Sequence, residues 1–507
     1  MKPVAEKTHF RKDAVNISIL LSVALFIGIY LIATTTVIAK DGVTFIEYAK
    51  QLETATIETI TNEYQHPGYP FLIFAVHKAT GFLYNNTSIF SWIYCGQSVT
   101  LVFRLIAIIV FYFIGKKLLD ARMSFWAILI LILLPKPGQY GSDVLSDWPH
   151  ICFLGLGLLL LLNGTINKKW WLFGFAGLIG GLGYLIRPES IQLVISGGLW
   201  LGFQLVRPKR TISRGKALSA LILLLAGFLV AVGPYMKLKG GVFPKKSFDL
   251  STQSLLQIEI LAETEQAVPE ILCAGQFAAT NITKAFAKLG NNIGNTLMWF
   301  FVPALLIGMH SWFKTQKWYE PKAFFIIMLI SINVSLMIWL YCRFGYMSDR
   351  HTLPLLMLLI FYVPLGLLDL SIWIHQRIPW RGKILNRNAW LWFLTFFLIG
   401  IFICAPKLFR PIRIKKHGYR AVAEWLNNNT ANTDIIAVPD IRISFYAGRT
   451  GIVYSNEDIP SDAGYVVVIA KNEQDYAGLS VLFGKKADYK YTDNSKRELS
   501  IFVYQTP

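Results

Sequence analysis

Acidic residues and cysteine are scarce in this chain, and charge of either sign is sparse. Of 507 residues, 30 are Asp or Glu and 49 are Lys or Arg, so charged residues make up 16%. Soluble domains carry about 25%. The deficit, with 54% hydrophobic residues and a mean hydropathy of +0.47, excludes an ordinary soluble protein and implies a polytopic membrane chain. Five scattered cysteines (Cys95, Cys152, Cys273, Cys342 and Cys404) have no paired spacing, which excludes a cysteine metal cage or redox motif. Cys95, Cys273 and Cys342 are read as outside the membrane, but nothing in their spacing supports a disulfide. Tandem repeats and low-complexity tracts are missing. The polar C-terminal stretch has no phosphate-binding glycine loop.

What the chain does have is basic charge, +19 in total, and its position decides its meaning. The Lys and Arg residues sit in short gaps between apolar runs, where they orient a membrane protein and do not read as a nucleic-acid surface. Apolar runs near 15–39, 92–115, 123–135, 150–163, 170–186, 190–206, 217–236, 295–313, 323–341, 353–374 and 390–405 predict about eleven spans. Counting the short third and fourth runs as spans puts Lys116/Lys117/Arg122, Lys168/Lys169, the Arg207–Lys216 cluster, Lys314/Lys317/Lys322 and the Arg377–Arg387 cluster all on one side. No other parity keeps them together. The first run follows Lys2, Lys7, Arg11 and Lys12, so it reads as an uncleaved anchor with a cytoplasmic N-terminus.

The expected fold is therefore mostly α: a polytopic helix bundle over residues 1–405 with short helices on its outer surface, and a small α/β domain over 406–507 outside the membrane. The loop at 40–91, with its Pro-broken apolar stretch Pro67–Ala79, supplies outer-surface helices, and Leu255–Leu261 suggests more in the loop at 237–294. Beyond Pro406 the pattern predicts a helix over Tyr419–Asn427. Strands are expected at Asp434–Val438, Gly451–Tyr454, Tyr465–Ala470 and Leu499–Tyr504.

The same parity places Asp41, Asp147, Glu189 and Asp349 at one water–lipid boundary. Asp41 follows the first span and precedes Gly42. Desolvated at the rim, its carboxyl could have a raised pKa and act as a base, or it could only cap a helix. In His66-Pro67-Gly68-Tyr69-Pro70, both His66 and Tyr69 can donate to an anion, although a helix-start turn accounts equally for the motif. Asp147, with Asp143 in the same turn, either caps the helix that follows or faces Asp41. Arg187-Pro188-Glu189 fits either an architectural ion pair or a cation placed for a lipid phosphate. Arg343, Tyr346, Arg350 and His351 together make an anion clamp on an outer turn, where arginine is disfavoured unless it has a partner. Arg104, within the second span, needs a carboxylate or a water-lined cavity.

Taken in order, these motifs resemble the GT-C superfamily of membrane glycosyltransferases, of the protein-mannosyltransferase and lipid A aminoarabinose-transferase type. The motifs are Asp41, His66-Pro67, Asp147-Trp148-Pro149, Arg187-Pro188-Glu189, Arg350-His351 and the terminal Asp440–Arg449 segment. The resemblance implies an inverting enzyme that moves a hexosyl or pentosyl group from a polyprenyl-phosphate donor to a lipid, glycan or protein acceptor outside the cytoplasm, such as beyond a cell inner membrane. It assigns catalysis to Asp41, as general base, and to Asp147, with His66, Tyr69, Arg187, Glu189, Arg350 and His351 binding substrate. Some members have a second acid where this chain has Gly42. Some bind a divalent metal, but no ligand spacing here specifies one, so no cofactor is assigned and a divalent metal is left open. The alternative is a polytopic transporter or lipid flippase, a class that favours repeated halves and helices broken at mid-bilayer, neither of which is read in this sequence.

Overall fold

In lipid a backbone must satisfy its own polar groups, so long apolar runs fold as helices. The computed structural model describes residues 2–81, 88–208, 212–241, 279–377, 388–454, 460, 462–470, 487–492 and 500–506. Its first half contains α1 (Lys2–Ala33), α2 (Lys40–Thr54), α3 (Thr56–Asn62), α4 (Gly68–Gly81), α5 (Ile89–Leu118), α6 (Ala121–Leu133), α7 (Pro135–Tyr140), α8 (Asp147–Ile166), α9 (Leu172–Ile186), α10 (Gln192–Val206) and α11 (Arg214–Lys239). The second half adds α12 (Ala279–Thr296), α13 (Val302–Thr315), α14 (Pro321–Phe344), α15 (Leu353–Leu359), α16 (Tyr362–Arg377), α17 (Asn388–Leu408), α18 (His417–Asn429) and α19 (Ile441–Ala447).

All eleven apolar runs are helical, although those at 295–313 and 353–374 are each divided between two helices, and the chain is a multi-pass membrane protein. Among the described residues six helices are long and apolar enough to cross a membrane, or seven if the bent α15–α16 segment is one span. Helices α6 and α9 are shorter. The α15–α16 segment bends by 61°, so the expectation of unbroken helices fails there. Where α13 and α16 cross, only glycine fits: a Cβ at Gly308 would lie 1.9 Å from the Tyr362 carbonyl oxygen, and one at Gly366 would lie 1.8 Å from that of Ala304. Small residues let these backbones touch, which substitutes for the hydrophobic drive that lipid cannot supply.

The first span ends at Ala33, and the chain then turns into the separate surface helix α2. Its buried face, including Gly42, Phe45, Ile46, Ala49 and Leu52 at helical spacing, packs with Tyr69 and Ile73 of α4 and Ile93 of α5. Leu255–Leu261 lies outside the described residues.

At the C-terminal end five strands, β1 (Ile435–Val438), β2 (Thr450–Val453), β3 (Tyr465–Ala470), β4 (Tyr489–Thr492) and β5 (Ser500–Gln505), form one sheet in the order β2-β1-β3-β5-β4. Strand β1 runs parallel to β2 and β3, and β5 is antiparallel to β3 and β4. Four strands and α18 follow the expected pattern. Strand β4 and the short α19 were not expected, and α17 continues through Pro406 to Leu408, past the boundary read from composition.

Candidate functional site

Asp41 is the second residue of α2. The N-cap position is Ala39 and no side chain caps the helix, so the capping reading does not hold. Arg350, in the one-turn helix Asp349–Thr352 ahead of α15, donates from Nη2 to Asp41 Oδ2 at 2.6 Å. Its Nε lies 3.4 Å from Asp147 Oδ2. On the far side of Asp147, Arg187 Nη2 lies 3.0 Å from Oδ1, and Arg187 Nε donates to Ser146 Oγ at 2.9 Å. Residues from four distant segments thus form a line of alternating charge: Asp41, Arg350, Asp147, Arg187. Asp147 is buried and caps nothing, and its contacts with both arginines are ion pairs without hydrogen-bond alignment.

Burial disfavours the Asp41 carboxylate, but Arg350, through charge and hydrogen bond, and then Arg187 and His351 outweigh it and hold the carboxyl below the usual carboxylate range. This is opposite to the raised value expected from the sequence. Burial also opposes the charge on Arg350, yet Asp147 and Asp41 raise its pKa. Glu189 follows the Asp41 pattern: burial works against its charge and Arg187 restores it. Arg187 does not pair with Glu189, so the expected hairpin ion pair gives way to one with Asp147.

His66 packs edge-on to Tyr184 (5.2 Å between ring centres) and tilted against Tyr235 (5.4 Å), its buried Nδ1 without a hydrogen-bond partner. Burial depresses His66 to about 4, Glu189 working against it, and burial with Arg350 and Arg187 does the same to His351. Both rings are therefore neutral at pH 7. Against an unfolded value near 6.5, the unfolded chain binds more protons between about pH 4 and 6.5, so stability falls as pH falls through that window. Thermal unfolding in detergent is expected to occur at lower temperature at pH 5 than at pH 7.5, and His66→Gln should shrink the difference. An acid-insensitive midpoint would contradict the neutral assignment.

Three expectations are corrected. Tyr69 is fully buried, sharing a hydrogen bond of 2.8 Å with the Thr100 hydroxyl and donating to the Gly96 carbonyl at 3.1 Å, so its hydroxyl is used inside the core and not by an anion. Arg343 is exposed and Asp349 pairs with Lys136, so the expected clamp narrows to Arg350 and His351, with the exposed Tyr346 ring edge-on to His351 at 5.9 Å between ring centres. Arg104 is fully buried with no carboxylate paired to it among the described residues, its guanidinium carbon 5.7 Å from the Trp148 ring centre and its three nitrogens without a hydrogen-bond partner in the protein. Gly42 also has a steric reason: a Cβ there would lie 2.9 Å from Val144 Cβ and 3.0 Å from its carbonyl oxygen, so a second acid has no room.

Two further residues lie at the site, His150, which the sequence motifs do not single out, and Asp143, to which they assign no role of its own. His150 is buried beside the network with both ring nitrogens unpartnered, and its signal was the three-residue spacing from Asp147 on α8. Asp143, also buried, accepts the Ala39 and Val144 amides on Oδ1 (3.1 and 2.8 Å) and pairs with Arg413. Among the described residues no group of three or more His, Cys, Asp or Glu is arranged to hold a metal ion. The oxygens of Asp41 and Asp147 face guanidinium groups, a poor donor set for a divalent cation.

Residues 97–236 match the family model described as dolichyl-phosphate-mannose-protein mannosyltransferase, a stretch that holds Asp147, Arg187 and Glu189. The fold is similar to that of ArnT from Cupriavidus metallidurans in the apo state, with a TM-score of 0.56, 11% identity, and 96% of this chain and 97% of that one covered. The same protein bound to undecaprenyl phosphate matches with a TM-score of 0.54, 11% identity and the same coverage. The apo oligosaccharyltransferase of Archaeoglobus fulgidus matches with a TM-score of 0.54 and 12% identity, over 95% of this chain and 74% of that one. At these identities the likeness is one of fold, and the GT-C resemblance read from the sequence holds at that level.

Proposed function

We propose that this chain is an inverting glycosyltransferase that moves a sugar, hexosyl or pentosyl, from a polyprenyl-phosphate donor to a lipid, glycan or protein hydroxyl. The supporting observation is Arg350 bridging Asp41 and Asp147. A single guanidinium that holds a candidate base and can also fork onto a phosphate couples donor binding to base release. As the donor phosphodiester draws Arg350 and Arg187 to itself, Asp41 loses its counter-ion and its proton affinity rises. It then takes the proton of the acceptor hydroxyl as that oxygen bonds to the anomeric carbon. The anomeric carbon–phosphate oxygen bond breaks, and the lipid phosphate leaves with the electron pair, its charge met by Arg350 and Arg187. A single displacement inverts the anomeric centre. Asp147 holds both arginines in place, while His66, His351 and Glu189 line the approach.

The accompanying topology has eleven crossings, a cytoplasmic N-terminus and the site and C-terminal domain outside. The bundle and that domain are read as separate units meeting near residue 405. The neighbour bound to undecaprenyl phosphate supports the donor class. Mass spectrometry of lipid extracted from the purified protein is expected to find a polyprenyl phosphate, and reconstituted protein should transfer its sugar. The bend between α15 and α16 is a feature that favours a transporter or flippase. Solute or lipid flux in proteoliposomes without sugar transfer would establish that reading instead.

A further inference from the structure

Between α1 and α2 four consecutive residues are each tied down just before Asp41. The Thr36 amide donates to the Ile412 carbonyl at 3.2 Å. Val37 is fully buried in the core of the C-terminal sheet, with Tyr419, Val422, Ile443 and Ile501, and its carbonyl accepts Arg413 Nη1 at 3.3 Å. The Ile38 amide donates to Tyr446 Oη at 3.0 Å. The Ala39 amide donates to Asp143, the carboxylate paired with Arg413. Three of the four ties come directly from residues beyond 410, and the fourth reaches Arg413 through Asp143. Phe445, next to Tyr446, inserts into the cluster that holds α2, with the Lys50 ammonium 5.3 Å from its ring centre. Arg413 has left-handed backbone (φ 54°), which is unfavourable for a residue with a side chain and is held in place by these contacts.

A helix is stiff, so fixing the residues just before it fixes the carboxylate at its second position. We propose that the C-terminal sheet layer positions Asp41, with Arg413 and Tyr446 as positioning residues that act through Asp143 and the backbone of residues 36–39. The inference rests on Asp41 being the base. It makes the terminal layer part of the catalytic device, setting the distance between Asp41 and the reacting hydroxyl without touching substrate.

The test uses the full chain in lipid nanodiscs with a polyprenyl-phosphate sugar as donor. Arg413→Ala is expected to lower kcat by roughly 10- to 100-fold, because a displacement of about 1 Å at a reacting group has that effect. The donor KM should stay within about twofold, and the unfolding temperature should fall, because the buried Asp143 carboxylate loses its partner, so turnover is compared per folded molecule. Tyr446→Phe, a milder change, should lower kcat less, and Arg413→Lys should recover part of the loss. In an Asp41→Asn background, Arg413→Ala should lower the residual rate no further, since both act through one carboxylate. Wild-type kcat in Arg413→Ala and Tyr446→Phe would overturn the inference, as would an undiminished Arg413→Ala effect on top of Asp41→Asn. So would a parallel loss of kcat and donor binding, the mark of a purely structural contact. An active Asp41→Asn would overturn the assignment of the base, a separate failure.

Discussion

Replacing Asp41 with asparagine is expected to lower sugar transfer by about 10²- to 10⁴-fold, the usual contribution of a positioned general base. Donor binding should be kept. The amide has the shape of the carboxylate but cannot take a proton, so the loss should fall on kcat. Arg350 keeps its second partner, Asp147, and the chain need not rearrange. Freed from Asp41, the guanidinium is more available to a phosphodiester, so the variant should bind a polyprenyl phosphate as tightly as the wild type or more tightly. A purely architectural ion pair predicts the reverse: weaker binding, a lower unfolding temperature and near-normal turnover in the protein that survives. Tryptophan fluorescence titration with the lipid phosphate, beside single-turnover transfer, separates the two. Normal turnover would remove Asp41 as the base.

Much of this site was legible in the sequence because hydropathy and charge sorting are one-dimensional. Counting spans puts Asp41, Asp147, Arg187 and Arg350 on one face, and the structure joins those four in one line of contacts. Which cation meets which anion was not legible, since Arg350 and Asp41 are 309 positions apart and only the packing of the outer surface brings them together. Local sequence misled where a nearer partner was available: Arg187 stands two residues from Glu189 but reaches Asp147. Tyr69 sits in a loop motif rich in polar groups, yet the apolar stripe of α4 turns it into the core. The direction of the Asp41 shift was missed for the same reason, because burial alone raises a carboxyl and the guanidinium that reverses it comes from another segment. In the C-terminal sheet, the strands with apolar alternation were found. Strand β4, with residues Tyr489–Thr492 half polar and short, gains its identity only by pairing with β5.

Arg350→Ala carries the second large effect, and it should appear in two independent measurements. The first is donor affinity. Removing the guanidinium that would pair with the donor's phosphate costs about 2 kcal/mol or more, so the lipid phosphate should bind roughly 30-fold more weakly. The second is pH. Without the guanidinium, Asp41 faces Asp147 with one fewer cation between them, so its protonated form is favoured and its pKa rises. A base must be ionised to act, so the acid limb of the kcat/KM profile should move to higher pH, opposite to the direction in which Arg350 holds it in the wild type. Arg350→Lys separates the contributions. An ammonium restores positive charge and should return the acid limb most of the way, but it lacks the fork that spans Asp41 and Asp147 or two phosphate oxygens, so affinity should recover less. Unchanged donor affinity in Arg350→Ala would remove the phosphate clamp. An unmoved acid limb would show that this guanidinium does not govern the ionisation of Asp41, and the coupling of donor arrival to base release would fail with it.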